Sequence, residues 1–286
     1  MNDFWKLLKS APFAAKLGVF IILINVFAAI FAPVIAPYAE TDVIGDMWDG
    51  GFWDENAPQH SPVSLLGTDH IGRDLFTRLI YGARNTIGIA FVTTLLSFGV
   101  GITAGFIAAT LRGWVDQVLS RTVDVFMAIP TLIFALMILS VMGTSIPVLI
   151  VVIAILDATR VYRISRAVAM DIEVMEYVEV AKLRGEGLWW IIRHEILPNA
   201  LAPLVAEFGL RFCFVFLFIA ALSFLGLGLQ PPTADWGSMV RENASGISYG
   251  IIVPLIPAAA IALLTVGVNL VVDWFLHKAS GIREIK

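Results

Sequence analysis

Glu176–Asn199 reads EYVEVAKLRGEGLWWIIRHEILPN, and it is the longest polar interruption on one side of a very apolar chain. From Ile172 onward the helical rows are mixed. Val174, Val178, Ala181 and Leu183 fall where a helix turns apolar side chains inward, and Glu176, Glu179, Lys182 and Arg184 fall where it meets water. Gly185 and Gly187 break that helix, because glycine accepts backbone angles that other residues avoid. A second short segment, Leu188–Ile196, carries Trp189, Trp190, Ile191 and Ile192, and Pro198 is expected to stop it. Tryptophan pairs favour the membrane–water boundary. The stretch therefore predicts two short helices bent at a glycine, lying across one face of a membrane protein. An ordinary amphipathic interfacial helix without a partner fits the same letters.

The chain on either side requires a membrane. Of 286 residues, 58% are hydrophobic and 15% charged, against about a quarter charged in a soluble globular domain. Apolar runs approaching the roughly 20 residues needed to cross a bilayer lie at Leu17–Ala36, Thr86–Leu111, Thr122–Met142, Ile146–Thr159, Leu201–Leu229 and Ile251–Leu276. The fold class expected is all-α, a polytopic membrane protein of six transmembrane helices. The first run follows Lys6, Lys9 and Lys16 as a signal peptide would, but it is long for one and lacks a small-residue cleavage site, so it reads as a retained helix.

Orientation follows from the basic residues. With the N-terminus inside, the inner segments hold Lys6, Lys9, Lys16, Arg112, Arg121, Arg160, Arg163, Arg166, Lys182, Arg184, Arg193, Lys278, Arg283 and Lys286, fourteen of nineteen. Arg73, Arg78, Arg84 and Arg241 fall outside, and Arg211 falls within a span. The first outer loop is acidic, with Glu40, Asp42, Asp46, Asp49, Asp54 and Glu55. Both termini are expected in the cytoplasm. The organisation is then a lead-in (1–16, with Phe4 and Trp5 on the inner leaflet), a first span (17–36), an outer loop (37–85), a five-helix core (86–276) that includes the inner loop 160–199, and a tail (277–286).

Several constellations have local readings. Thr68 or Asp69 can cap a helix beginning near Ile71, with Asp74 and Arg78 as an i,i+4 pair. Gly101 and Gly105 permit close helix approach. Arg121 and Asp124 can pair near the inner boundary, and Pro130 invites a kink. Arg160, Arg163 and Arg166 anchor an inner helix end or face an anionic partner. Glu207 and Arg211 form a possible intramembrane ion pair, structural or in contact with cargo. Asp157 and Asp273 lie near enough to the inner boundary to be solvated. In the outer loop, Trp48, Phe52 and Trp53 among Gly45, Gly50, Gly51 and Pro58 indicate a packed segment, either a simple cover or a docking surface for a delivery protein.

Three stretches carry a family resemblance that runs through the whole chain. Glu179, Ala181, Gly185, Ile196, Leu197 and Pro198 resemble the E-A-A, G and I-L-P loop of membrane subunits of bacterial ABC importers, with Val180 where the pattern has a second alanine. Leu66–Asp74, LGTDHIGRD, resembles the stretch before the second span in C-type subunits of oligopeptide, dipeptide and nickel permeases, through Gly67, Thr68, Asp69, Gly72, Arg73 and Asp74. Leu222–Pro232 with Trp236, Gly237 and Met239 resembles a third signature of that family, with Ala234 and Asp235 in place of its usual Pro-Ser. The C-terminal Gly281-Ile282-Arg283 departs from the family's usual Asp-Pro-Arg.

The resemblance implies a type I ABC importer permease fold in a bacterial inner membrane. It implies a second homologous permease subunit, two ATPase subunits that bind ATP and magnesium beneath, an external solute-binding protein, and no nucleic acid. It implies that Glu179, Val180, Ala181, Gly185, Ile196, Leu197 and Pro198 form the loop coupled to the ATPases. Cargo would be a peptide, a nickel complex or an opine; peptide leads, because no span carries the His or Cys cluster a bare metal needs.

Other motifs lead nowhere. Gly246–Gly250 matches G-x-S-x-G in letters, but that motif needs a strand-to-helix turn and a nearby histidine. His194-Glu195 begins H-E-x-x-H, yet its fifth position is Pro198. No Gly-Lys dipeptide occurs, so there is no phosphate-binding loop of that kind and no cofactor is expected in this chain. The single cysteine, Cys213, excludes an internal disulfide. The alternative to an ABC subunit is a self-contained secondary transporter or channel, which copurification with an ATPase would exclude.

Overall fold

A computed structural model describes residues 11–50 and 64–279. The lead-in residues Phe4, Trp5, Lys6 and Lys9, the loop residues Phe52, Trp53 and Pro58, and the tail Gly281–Lys286 lie outside the described residues. Within them the chain forms helices α1 (Phe13–Ile35), α2 (Leu75–Leu111), α3 (Gly113–Ala128), α4 (Thr131–Met142), α5 (Ile146–Glu173), α6 (Glu176–Leu183), α7 (Leu188–Ile191), α8 (Leu197–Phe224), α9 (Trp236–Asn243) and α10 (Leu255–Ala279). A π turn, Ile192–Ile196, joins α7 to α8. No strand occurs among the described residues, in keeping with the all-α expectation.

Among the described residues, four helical stretches are long and apolar enough to cross a membrane: α1, α2, Leu188–Phe224 and α10. A fifth is obtained if α3 and α4 count as one span bent by 86°. The break falls at Ile129-Pro130, where proline supplies no amide hydrogen and restricts the residue before it. The remaining expected span, Ile146–Thr159, lies in α5, whose 28 residues include Asp157, Arg160, Arg163 and Arg166, and α5 is not among these stretches.

Two compact units emerge from the packing. The first takes the described residues up to Phe91, Thr144–Ile146 and Phe216–Trp274. In it α1 meets α10 backbone to backbone: a Cβ on Gly18 would lie 2.5 Å from the Gly267 carbonyl oxygen. The outward residues of α1, among them Phe20, Phe27 and Ile30, are exposed, as a lipid-facing helix requires. The second unit takes Val92–Gly143, Pro147–Val215 and the described residues from Phe275. There Gly101 and Gly105 bring α2 onto α5: a Cβ at Gly101 would lie 2.6 Å from that of Val161, and one at Gly105 would lie 2.9 Å from that of Ser165. The close approach expected from this spacing is present.

Four local readings are corrected. The helix expected near Ile71 begins at Leu75, and its cap is Asp74, whose carboxylate accepts from the Thr77 amide (2.7 Å) and from the Ser64 hydroxyl (2.6 Å). Asp74 is thereby occupied, and Arg78 pairs elsewhere. Asp124 accepts from Arg163 (2.6 Å) rather than pairing with Arg121. Pro198 does not stop the segment after the glycines. The π turn shifts the hydrogen-bond register, with the Leu197 amide donating to the Ile192 carbonyl, so proline enters the first turn of α8, where its missing amide hydrogen costs little.

Candidate functional site

The elbow of the second unit is α6, a glycine turn, α7 and the π turn. Helix α6 ends on Gly185 at φ +78°, with the Glu186 amide donating to the Ala181 carbonyl and the Gly185 amide to Lys182. That pair of bonds closes helices on a left-handed residue, and glycine adopts that conformation without steric cost. The underside is apolar: Val178, Ala181, Ile191, Ile192 and Ile196 are buried in one cluster with Phe106 and Ala109 of α2, Ala169 and Ile172 of α5, and Ala200 and Leu204 of α8. The upper face is open. Glu179, Val180, Leu183, Arg184 and Gly185 are exposed, Leu183 at 81%. Of the expected apolar row, Val178 and Ala181 are buried, whereas Val174 and Leu183 face outward. Arg184 lies over the Trp190 ring (5.5 Å), which stacks on His194 (4.7 Å).

The structure thus divides the expected loop residues. Glu179, Val180, Gly185 and Pro198 are exposed, Leu197 is half-buried, and Ala181 and Ile196 are fully buried beneath.

Within the same unit, Arg211 donates to Glu207 (2.7 Å) and lies 3.7 Å from Asp157. Asp157 is 2% exposed and accepts from the Ser97 hydroxyl (3.0 Å), so its expected solvation is not found. Position along α5 gives depth, but the face toward α2 and α8 decides burial. Arg160 (4.4 Å) and Arg211 (5.5 Å) both lie over the Phe214 ring. Charges in spanning helices are expensive unless paired in this way.

The first unit holds a second network, built from the LGTDHIGRD stretch. Asp69 accepts from the amides of Ile71 and Arg73 and from the Arg73 guanidinium (2.7 Å), and lies 3.3 Å from Arg78. Arg73 and Arg78 also donate to Glu242 (3.0 and 3.1 Å). All four side chains are at most 8% exposed. Asn243 accepts from the Trp48 ring (3.1 Å) and the His70 amide (2.9 Å). Thr68 accepts from the Asp49 amide and donates to the Asp46 carbonyl. Gly67 and Gly72 take φ of +83° and +84°, and a Cβ on Gly72 would lie 2.1 Å from the Gly45 carbonyl oxygen. Asp69, His70 and Glu242 are close enough together to hold a metal ion, but the two guanidiniums already neutralise both carboxylates. Asp235 takes up the capping of α9 where the resembling family has serine, accepting from the Ser238 amide (2.9 Å) and the Thr86 hydroxyl (2.9 Å). Burial pushes its carboxyl above the usual carboxylate range. Sequence reasoning missed Glu242 and Asn243, whose partners lie far along the chain, and Glu173, whose partners are Lys182 and the more distant Arg112.

Comparison with known proteins bears on this arrangement. Residues 101–278 match the family described as "Binding-protein-dependent transport system inner membrane component". The chain is 34% identical over 261 residues to the dipeptide transport system permease protein DppC of Alkalihalophilus pseudofirmus, covering 91% of this chain and 83% of the relative. It is 32% identical over 280 residues to DppC of Haemophilus influenzae, covering 96% and 92%. The structure of the MetNI methionine ABC transporter in inward-facing form superposes with a TM-score of 0.57 at 19% identity, covering 73% of this chain and 98% of that one; this likeness supports the fold alone. With glycine-closed elbow, apolar spans and sequence in agreement, the chain belongs to the binding-protein-dependent transport system inner membrane components, the multi-pass permease subunits of ABC importers.

Proposed function

We propose that this subunit forms half of a translocation pathway for di- or oligopeptides, and that the elbow Glu176–Pro198 is where ATPases drive it. The observation that carries the reading is the elbow's division into an apolar foot and an exposed top, on a segment whose letters resemble the family's coupling loop. Glu179, Val180 and Gly185 meet the ATPase surface. Ala181 and Ile196 hold the element to the bundle, and Leu197 with Pro198 sets the return into α8. The peptide assignment rests on relatives named for dipeptide transport.

The chain is a non-catalytic subunit without cofactor, and ATP with magnesium is held by two partner ATPases. A second, homologous but distinct permease completes the pathway, and an external solute-binding protein delivers cargo. The subunit resides in a bacterial inner membrane with both termini cytoplasmic, as the fourteen-to-four distribution of basic residues favours. When the ATPases close, they displace the elbow, and the bundle passes between inward- and outward-open states.

The test is peptide uptake by the reconstituted transporter carrying Gly185→Pro or Glu179→Arg. Proline cannot reach φ +78°, and the arginine substitution reverses an exposed charge. Both variants are expected to insert normally and take up no peptide. Normal uptake by either removes the coupling assignment, and uptake by the purified chain alone removes the ABC reading of its mechanism.

A further inference from the structure

Glu173, the last residue of α5, is a carboxylate at the base of the elbow, and its side chain is 3% exposed. It accepts from two cations at once: the Lys182 ammonium of α6 and the Arg112 guanidinium at the end of α2. Lys182 and Arg112 are themselves 41% and 54% exposed. One buried carboxylate therefore joins three elements: the elbow helix, the end of α5 and the junction of α2 with α3. Arg112 sits at φ +51°, a conformation a non-glycine residue adopts at a cost and keeps where its surroundings fix it. Beside this junction the apolar cluster that holds Val178 and Ala181 reaches the same two helices, through Phe106 and Ala109 of α2 and Ala169 and Ile172 of α5.

These two attachments differ in kind. Apolar contacts are non-directional and tolerate sliding. A charge-assisted hydrogen bond fixes distance and direction, and a buried carboxylate cannot exchange its partners for water without a penalty. We infer that Glu173 is a positioning residue that makes the elbow rigid with α2 and α5, so that displacement of the elbow becomes displacement of those helices rather than local slippage. The inference rests on the proposed coupling role of the elbow and adds the link through which that role acts on the bundle.

The experiment uses the complete transporter in proteoliposomes, with peptide-loaded binding protein outside and ATP within reach of the ATPases. Peptide taken up per ATP hydrolysed is compared for wild type, Lys182→Met, Lys182→Arg, Glu173→Gln and the double variant Glu173→Gln/Lys182→Met. The expected result is an uncoupled machine. The ATPases still copurify and hydrolyse ATP, and peptide per ATP falls about tenfold in Lys182→Met and in Glu173→Gln. The double variant is no worse than either single one, and Lys182→Arg restores the ratio. If Glu173→Gln fails to assemble, Lys182→Met against Lys182→Arg decides, because both retain the Glu173–Arg112 pair. An unchanged ratio in Lys182→Met, or independent losses that multiply in the double variant, overturns the inference. Absence of ATP-driven uptake by wild type would instead overturn the function proposed above.

Discussion

Around Asp69 the side chains of Asp69, Arg73, Arg78 and Glu242 answer one another and are closed off from solvent. Around Gly185 the charges and apolar tips of Glu179, Val180, Leu183 and Arg184 stand outward. Both regions contain left-handed glycines next to a helix end, and they use them differently. At Gly72 the left-handed turn brings two backbones into contact, whereas at Gly185 no heavy atom stands within 4 Å of where a Cβ would be. The first cluster spends its polar groups internally, whereas the elbow, tied below through Lys182 to Glu173, leaves Glu179, Val180 and Leu183 on an open face. The long LGTDHIGRD signature thus belongs to the fold of the first unit, and the shorter elbow signature carries the open face on which the proposed coupling role rests.

Arg78→Ala should break this comparison most visibly. It leaves Asp69 and Glu242 with a single guanidinium between them in a buried site, at a cost of about 3–5 kcal/mol. The subunit is expected to lose most of its yield or to melt far below wild type in detergent, and a melt within a few degrees of wild type would show that the cluster is not a structural part. Gly72→Ala and Gly185→Ala sharpen the contrast. At Gly72 the new methyl meets a carbonyl oxygen at 2.1 Å and the backbone must move, so destabilisation should exceed about 3 kcal/mol. At Gly185 the methyl meets open space and only the left-handed conformation is penalised, by about 1 kcal/mol. Equal shifts in melting temperature for the two would contradict the distinction.

Asp235 gives the smallest effect. Its carboxyl is raised by burial, so the folded state holds the proton more tightly than the unfolded chain, and its contribution is complete below the unfolded value and lost as pH rises through the raised one. Asn caps a helix as well as Asp. Asp235→Asn should therefore melt at or above wild type near neutral pH and show a flatter pH dependence above the usual carboxylate range. A variant less stable than wild type at neutral pH would assign the carboxylate a favourable role when ionised.

Much of the fold was legible because it rests on local letters. The apolar runs locate the spans, Pro130 marks the break between α3 and α4, Gly101 and Gly105 mark the close contact with α5, and Gly185 marks the elbow's bend. What was not legible depends on partners distant in the chain. Arg73 and Glu242 are 169 positions apart, and no local rule joins them. Asp74 and Arg78 have the spacing of an ion pair, but a cap and a distant carboxylate claim them first. Asp157 has the depth of a boundary residue and the face of a core residue. Pro198 has the letters of a stop, but the π turn before it lets the helix continue. Of the elbow, the residues were readable, but which of them face outward was not, since Val174 and Leu183 share the apolar character of Val178 without its burial.

The most direct measurement places a cysteine on the elbow's open face. Cys213 is the sole native cysteine and is buried, so Val180→Cys, at a position 52% exposed, supplies the reactive thiol. In inner-membrane vesicles holding the assembled transporter, this thiol should crosslink to an ATPase subunit with a yield that changes on adding ATP. Modification of the same thiol by a membrane-impermeant maleimide added to the outside of intact cells, with no crosslink to the ATPase in any nucleotide state, would contradict the account.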